Sequence, residues 1–144
     1  MGFDLQNRKA TYINDGQGKW STTCFPTVGL AVKNAMIKAE ETANKIIYVD
    51  SFTVSQKDVV ASLEKATGSV WEATHVDGEQ QKKTGLEKLS KGDFGGAPLL
   101  LSYINAVEGH GGNYATYKQT SNELLGLPKE NLDEVVAEIV NKTR

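Results

Sequence analysis

The order of hydrophobic patterns between Asn44 and Val76 constrains the fold more than any other feature of the chain. "NKIIYVDS" reads as a buried strand bounded by polar residues. "SQKDVVASLEKATG" reads as a helix. Ser55 and Asp58 have nearly the spacing of a capping box, and Val59, Val60, Leu63 and Ala66 fall on one face. Gly68 is placed to stop it, because glycine tolerates the left-handed backbone that closes a helix. "SVWEATHV" then returns to a short strand. Strand, helix, strand implies a mixed α/β architecture.

The flanking segments extend this order. "KATYIN" and "KWSTTC" are strand patterns on either side of "DGQG", and closely spaced glycines after Asp-Gly predict a hairpin joining them. The same stretch invites a test as a phosphate loop. The residue five before Gly18 is Ile13 and Trp20 follows Lys19, so both spacing requirements fail. "FPTVGLAVKNAMIKA" carries Val28, Ala31, Val32, Ala35 and Met36 at helical spacing, with Pro26 near its start. "DGEQQKKTGLEKLSKG" is a polar helix with little to bury beyond Leu86 and Leu89, and "APLLLSYINAVEG" is a greasier one that opens at a proline. A glycine-rich loop follows, "EGHGGNYATYKQTSN". The last helix puts Leu132, Val135, Val136, Ile139 and Val140 on one stripe. Trp20 and Trp71 sit on strand patterns and are expected in the core.

Composition excludes several function classes. Net charge is −2 and no basic stripe appears, so nucleic-acid binding through phosphate neutralisation has no support. The longest apolar run, "APLLLSYI", is too short to cross a bilayer, so no membrane partner is expected. "MGFDLQN" is no signal peptide, and Gln6 stands where a myristoylation signal wants Ser or Thr. The "NKT" sequon is then inert. The single cysteine, Cys24, favours a reducing, cytoplasmic setting and reads as a small buried hydrophobe rather than a nucleophile.

Catalytic patterns are sparse. "GHGGNY" lacks the third glycine of a dinucleotide loop and follows a helix rather than a strand. Tyr114 and Lys118 have the Tyr-x-x-x-Lys spacing of short-chain reductases, but in a loop that does not align the two side chains. His75 and His110 stand far apart with no cysteine near them, so no zinc set forms, and His75 belongs at a surface or rim. Neither a G-x-S-x-G elbow nor a distinct carboxylate pair occurs.

Taken together, "GFDLQNRKATYINDGQGKWSTTCFPTVGLAV", "NKIIYVDSFTVSQKDVVASLEKATG", "WEATHVD", "KLSKGDFGG" and "NELLGLPKENLDEVV" resemble the C-terminal half of NmrA-like, isoflavone reductase-like proteins of the fungal type, atypical short-chain dehydrogenase/reductases. The resemblance implies an α/β, incomplete Rossmann-like portion: a β-hairpin plus short parallel strands packed with about five helices. It implies one substrate-side domain over residues 1–144, a fragment of a longer NAD(P)-binding protein or a truncated product. NADP(H) is the cofactor implied for the full-length family, with NADH not excluded, and none is expected to bind this chain alone. The catalytic residue would lie in the other half. The loop after the greasy helix would border the substrate pocket, which makes Tyr103, His110 and Asn113 its candidate lining. The resemblance allows a reductase of a small metabolite, inactive alone. It equally allows a non-catalytic NAD(P)-sensing transcriptional regulator, or a product with no independent function. Strands and apolar faces deprived of neighbours imply a homo-oligomer or a poorly stable monomer.

Overall fold

The structure is a computed structural model and describes residues 2–143. Five strands and six α-helices alternate along it: β1 (Phe3–Asp4), β2 (Lys9–Ile13), β3 (Lys19–Thr22), α1 (Phe25–Ile37), α2 (Ala39–Thr42), β4 (Phe52–Ser55), α3 (Gln56–Thr67), β5 (Glu72–Val76), α4 (Gly78–Ser90), α5 (Gly96–Ala106) and α6 (Leu132–Thr143). A 3-10 turn at Tyr114–Thr116 interrupts the glycine-rich loop. The α/β class holds.

Two sheets form. β2 is the centre of one, antiparallel to β1 and parallel to β5. β3 pairs antiparallel with β4 in the other. The expected hairpin between the second and third strands is therefore corrected. Both strands exist, but the turn between them carries the chain from one sheet to the other, and the hairpin is β1–β2. The turn itself is real: Asn14 and Gly16 have φ of 54° and 70°, and Gly16 N–H donates to Ile13 O. Past the turn, Gly18 packs so close to α5 that a Cβ would lie 1.7 Å from the Ala106 carbonyl oxygen. β3 thus runs against α5 and pairs with β4, not with β2.

The edge that β3 leaves is closed by a side chain. β1 covers β2 only at Lys9 and Ala10, with one more bond from Thr11 N–H to Gly2 O. Beyond it the Gln56 carboxamide accepts from Ile13 N–H at 2.8 Å and donates to Thr11 O at 2.8 Å. Gln56 is only 4% exposed, so it acts as one peptide unit of a missing strand. It also opens α3. The capping box is present as read: Asp58 N–H donates to the Ser55 hydroxyl, and Ser55 N–H to the Asp58 carboxylate. Gly68 closes the helix with φ of 66°.

The core lies between β2, α3 and α6. Ala10, Tyr12, Val60, Leu63, Trp71, Val136 and Val140 form it. The α6 stripe is inward at Val136 and Val140, while Ile139 is half exposed. Both tryptophans are 4% exposed, as expected.

A second correction concerns Asn44–Ser51, which is not a strand. β3 ends at Thr22 before the turn into α1, so residues 45–49 have no strand beside them. Their carbonyls are taken instead by Ser121 N–H on Tyr48 and by the Thr23 and Tyr114 hydroxyls on Val49. The strand begins at Phe52, and Ile46 is 81% exposed. No helix among the described residues is long and apolar enough to cross a membrane.

Gln56→Ala should cost about 2 to 4 kcal/mol, because it strands a buried donor and a buried acceptor of β2. Gln56→Glu should cost at least as much at neutral pH, because it buries a carboxylate oxygen against the Thr11 carbonyl, and should recover as pH falls and the acid proton restores the donor. Urea unfolding of the two variants checks the order.

Candidate functional site

Two helices that differ in polarity build the site. α4 and α5 cross through a glycine pair. A Cβ on Gly96 would meet Gly85 O at 2.3 Å, and one on Gly85 would meet the Leu100 side chain at 2.9 Å. The expectation that α4 buries Leu86 is therefore corrected: Leu86 is half exposed, and Gly78 and Gly85 are the buried positions. The close crossing sets the first turn of α4 beside the last turns of α5.

There the Tyr103 hydroxyl donates to the Glu79 carboxylate and lies 2.9 Å from His110 Nε2. The phenolic proton is committed to the carboxylate, so Nε2 carries the proton of the second bond. That leaves His110 Nδ1 facing away from this pair. The Tyr103 and His110 rings are tilted against each other with centroids 4.7 Å apart. The Lys82 ammonium lies 5.0 Å from the Tyr103 ring centroid and 3.5 Å from Glu79 Oε2. Tyr103 is buried, whereas Glu79 and His110 are exposed. The bond to Glu79 raises the Tyr103 phenol above its ordinary value. The same bond holds the Glu79 carboxyl below the usual carboxylate range, and Lys82 adds to this.

Asn113 stands apart from this cluster. It lines a cleft of about 420 Å³ under the glycine-rich loop, with Lys19, Glu108, Thr116 and Tyr117. Its Oδ1 is buried and lacks a hydrogen-bond partner among the described residues. The structure thus joins Tyr103 to His110 and does not join either to Asn113 by a described bond. Glu79 and Lys82 were missed in the sequence. Their only signal was an Asp-Gly-Glu-x-x-Lys start to a polar helix, which reads as solvated surface. A further cleft, of about 710 Å³, is lined by residues 119–124 and 127–129 and shares no lining residue with the Asn113 cleft.

The remaining reactive side chains are engaged structurally. Tyr114 donates to Val49 O, and Lys118 rests over the Tyr48 and Tyr117 rings, so the pair does not act as a proton-donating unit. His75 is exposed on β5, edge-on to Tyr12 and bonded to Asn14 O. Cys24 is half buried, and burial pushes its thiol up. Among the described residues no three of His, Cys, Asp or Glu could hold a metal.

The turns from strand to helix, where a dinucleotide pyrophosphate would sit, are acidic. α3 starts with Asp58 and α4 with Asp77 and Glu79. At α1 the Glu130 carboxylate accepts from the Thr27 hydroxyl at 2.8 Å and from Ser51. Each turn places a negative charge at the donor end of its helix, so these residues do not fit a pyrophosphate.

The fold matches that of a solved structure, "Crystal Structure of Isoflavone Reductase", with a TM-score of 0.64 over 91% of this chain and 43% of that one, at 23% identity. The chain has the isoflavone reductase fold. Among curated proteins it is 46% identical over 140 residues to oxidoreductase aprR of Aspergillus flavus, covering 97% of this chain and 47% of that protein. It is 27% identical over 143 residues to oxidoreductase poxI of Penicillium oxalicum, covering 45% of that protein. The chain spans about half the length of these relatives. No protein-family profile matches it. The resemblance to isoflavone reductase-like proteins therefore holds.

The Glu79 carboxyl lies below its unfolded value in the folded chain. Its contribution to stability is therefore complete above that unfolded value and is lost as pH falls through the folded one. In Tyr103→Phe the Glu79 carboxyl should titrate back towards the ordinary carboxylate range, and in Lys82→Met it should move part of the way. Carboxyl NMR titration reads both shifts.

Proposed function

We propose that this chain is the substrate-side portion of an NAD(P)H-dependent oxidoreductase acting on a small metabolite. The supporting observation is the combination of an isoflavone reductase fold, curated relatives named as oxidoreductases, and carboxylates at the starts of α3 and α4. The dinucleotide would be held by polypeptide equivalent to the part of the relatives outside the match. Residues 1–144 would bind and orient the substrate, and alone they would be inactive.

In this reading Tyr103, His110 and Asn113 line the substrate side, with Glu79 and Lys82 as support. Tyr103 is spoken for by Glu79 and acts as a positioning residue, holding the exposed His110 ring through its Nε2. The unpartnered Asn113 Oδ1 would accept from a substrate hydroxyl or amide N–H, since a buried acceptor gains most from a partner. The Lys82 ammonium keeps Glu79 ionised, so that the carboxylate goes on fixing the tyrosine.

Titration calorimetry tests the division of labour. The chain alone should show no binding of NADPH in the micromolar range. A chimera in which residues of this chain replace the matched segment of the Aspergillus flavus relative should bind it and oxidise it with some member of a panel of aromatic and carbonyl metabolites. His110→Ala in that chimera should raise KM for the substrate and leave NADPH affinity unchanged. Micromolar NADPH binding by the chain alone would sink the proposal.

A further inference from the structure

We infer that the outward face of α1 is a docking surface for the open α/β sheet of a dinucleotide-binding portion, the part of the relatives that this chain does not span. This rests on the reading of the chain as the substrate side of such a protein, and names the surface by which the two parts meet.

The helix carries the observation. α1 has one charged residue, Lys33, in 13 positions, which is the composition of a helix covered on most sides. Yet only Thr27 and Ala31 are buried. Phe25 is 92% exposed, Val32 57% and Met36 75%, and Val28 is also exposed. These residues recur at intervals of three and four, so they form one stripe along the helix. Gly29 lies within it, and a Cβ built there would meet nothing within 4 Å. The periodicity that marks Val28, Val32 and Met36 as core-facing is therefore correct as a pattern, and the surface it should face is absent from residues 2–143.

The kind of surface follows from the class of fold. In α/β chains a helix entered from a strand lies against a face of the sheet. α3 does this on β2. α1 is entered from β3, but its one extensive neighbour among the elements is the four-residue α2. Ile46, in the extended segment that follows, is bare as well. The solved isoflavone reductase has 43% of its chain matched here, and the Aspergillus flavus relative 47% of its own. More than half of each is thus available to supply a sheet. A second copy of this chain is the weaker occupant. Four side chains on one helix fall well short of the roughly 20 to 30 residues a side that a stable protein interface uses. A sheet of the same folding unit extends the contact beyond the stripe.

Peroxide oxidation of Met36, followed by peptide mass spectrometry, tests the surface separately from catalysis. Met36 should oxidise freely in the chain alone and about tenfold more slowly in the chimera described above, because susceptibility follows exposure. Equal rates in both would overturn the inference. So would protection in the isolated chain that grows with its concentration and disappears in Val32→Glu/Met36→Glu, since that assigns the stripe to a second copy. If the chimera does not fold, the chain is mixed with the unmatched part of the relative. Sedimentation should then show a 1:1 complex that Val32→Glu/Met36→Glu weakens at least about tenfold, with circular dichroism unchanged because both positions are exposed. No complex, or one indifferent to the charges, would overturn it. Protection of Met36 without NADPH oxidation would leave the docking surface standing and remove the proposed function. Turnover with Met36 still exposed would do the reverse.

Discussion

The carboxamide of Gln56 is the interaction on which the rest of the arrangement depends. Among the described residues β2 is the only strand with neighbours on both sides, and its β1 neighbour is two residues long. Without Gln56, the Ile13 N–H and Thr11 carbonyl would be buried and unpaired. With it, β2 is complete at the point where the chain leaves the sheet. The same residue begins α3, so the bond also fixes where that helix starts against the strand. The α3 face then meets α6, where Ser62 donates to Asp133 at 2.6 Å and Lys65 pairs with the other carboxylate oxygen at 2.8 Å. Strand, helix and terminal helix are thus registered from one side chain outward.

A second constraint, the glycine contact between α4 and α5, builds the candidate site. Two helices of opposite polarity are brought so close that a carboxylate of one reaches a buried phenol of the other. The loop that follows α5 returns His110 to the same phenol seven positions later. The site is polar where it meets solvent and anchored where it meets the helix.

Legibility in the sequence followed the range of the interactions. The capping box of Ser55 and Asp58, the glycine stop at Gly68, and the inward stripe of α6 are local, and all were readable because their physics closes within a turn or two of helix. Tyr103 and His110 were named as neighbours of a pocket, and they do touch. Glu79 and Lys82 were not named, because a Glu and a Lys one turn apart on a polar helix look like solvated surface until another helix crosses them. The hairpin expected across Asn14–Gly18 misread which strands pair. The turn chemistry was right, but a two-residue periodicity does not say which partner a strand will find.

What the sequence determined by itself was the α/β class, the main order of its helices and strands, and the inward positions of α3 and most of those of α6, though not those of α1 or α4. These follow from spacing and from the conformational limits of glycine and proline. Only the tertiary structure decided that β2 and β3 belong to different sheets, that Asn44–Ser51 stays irregular, and that a phenol, a carboxylate and an imidazole meet at the α4–α5 crossing. Each of these depends on contacts between residues far apart in the chain. Such contacts leave no period in the sequence, because they are set by how closely two backbones can approach, at Gly18 on Ala106 and at Gly85 on Gly96.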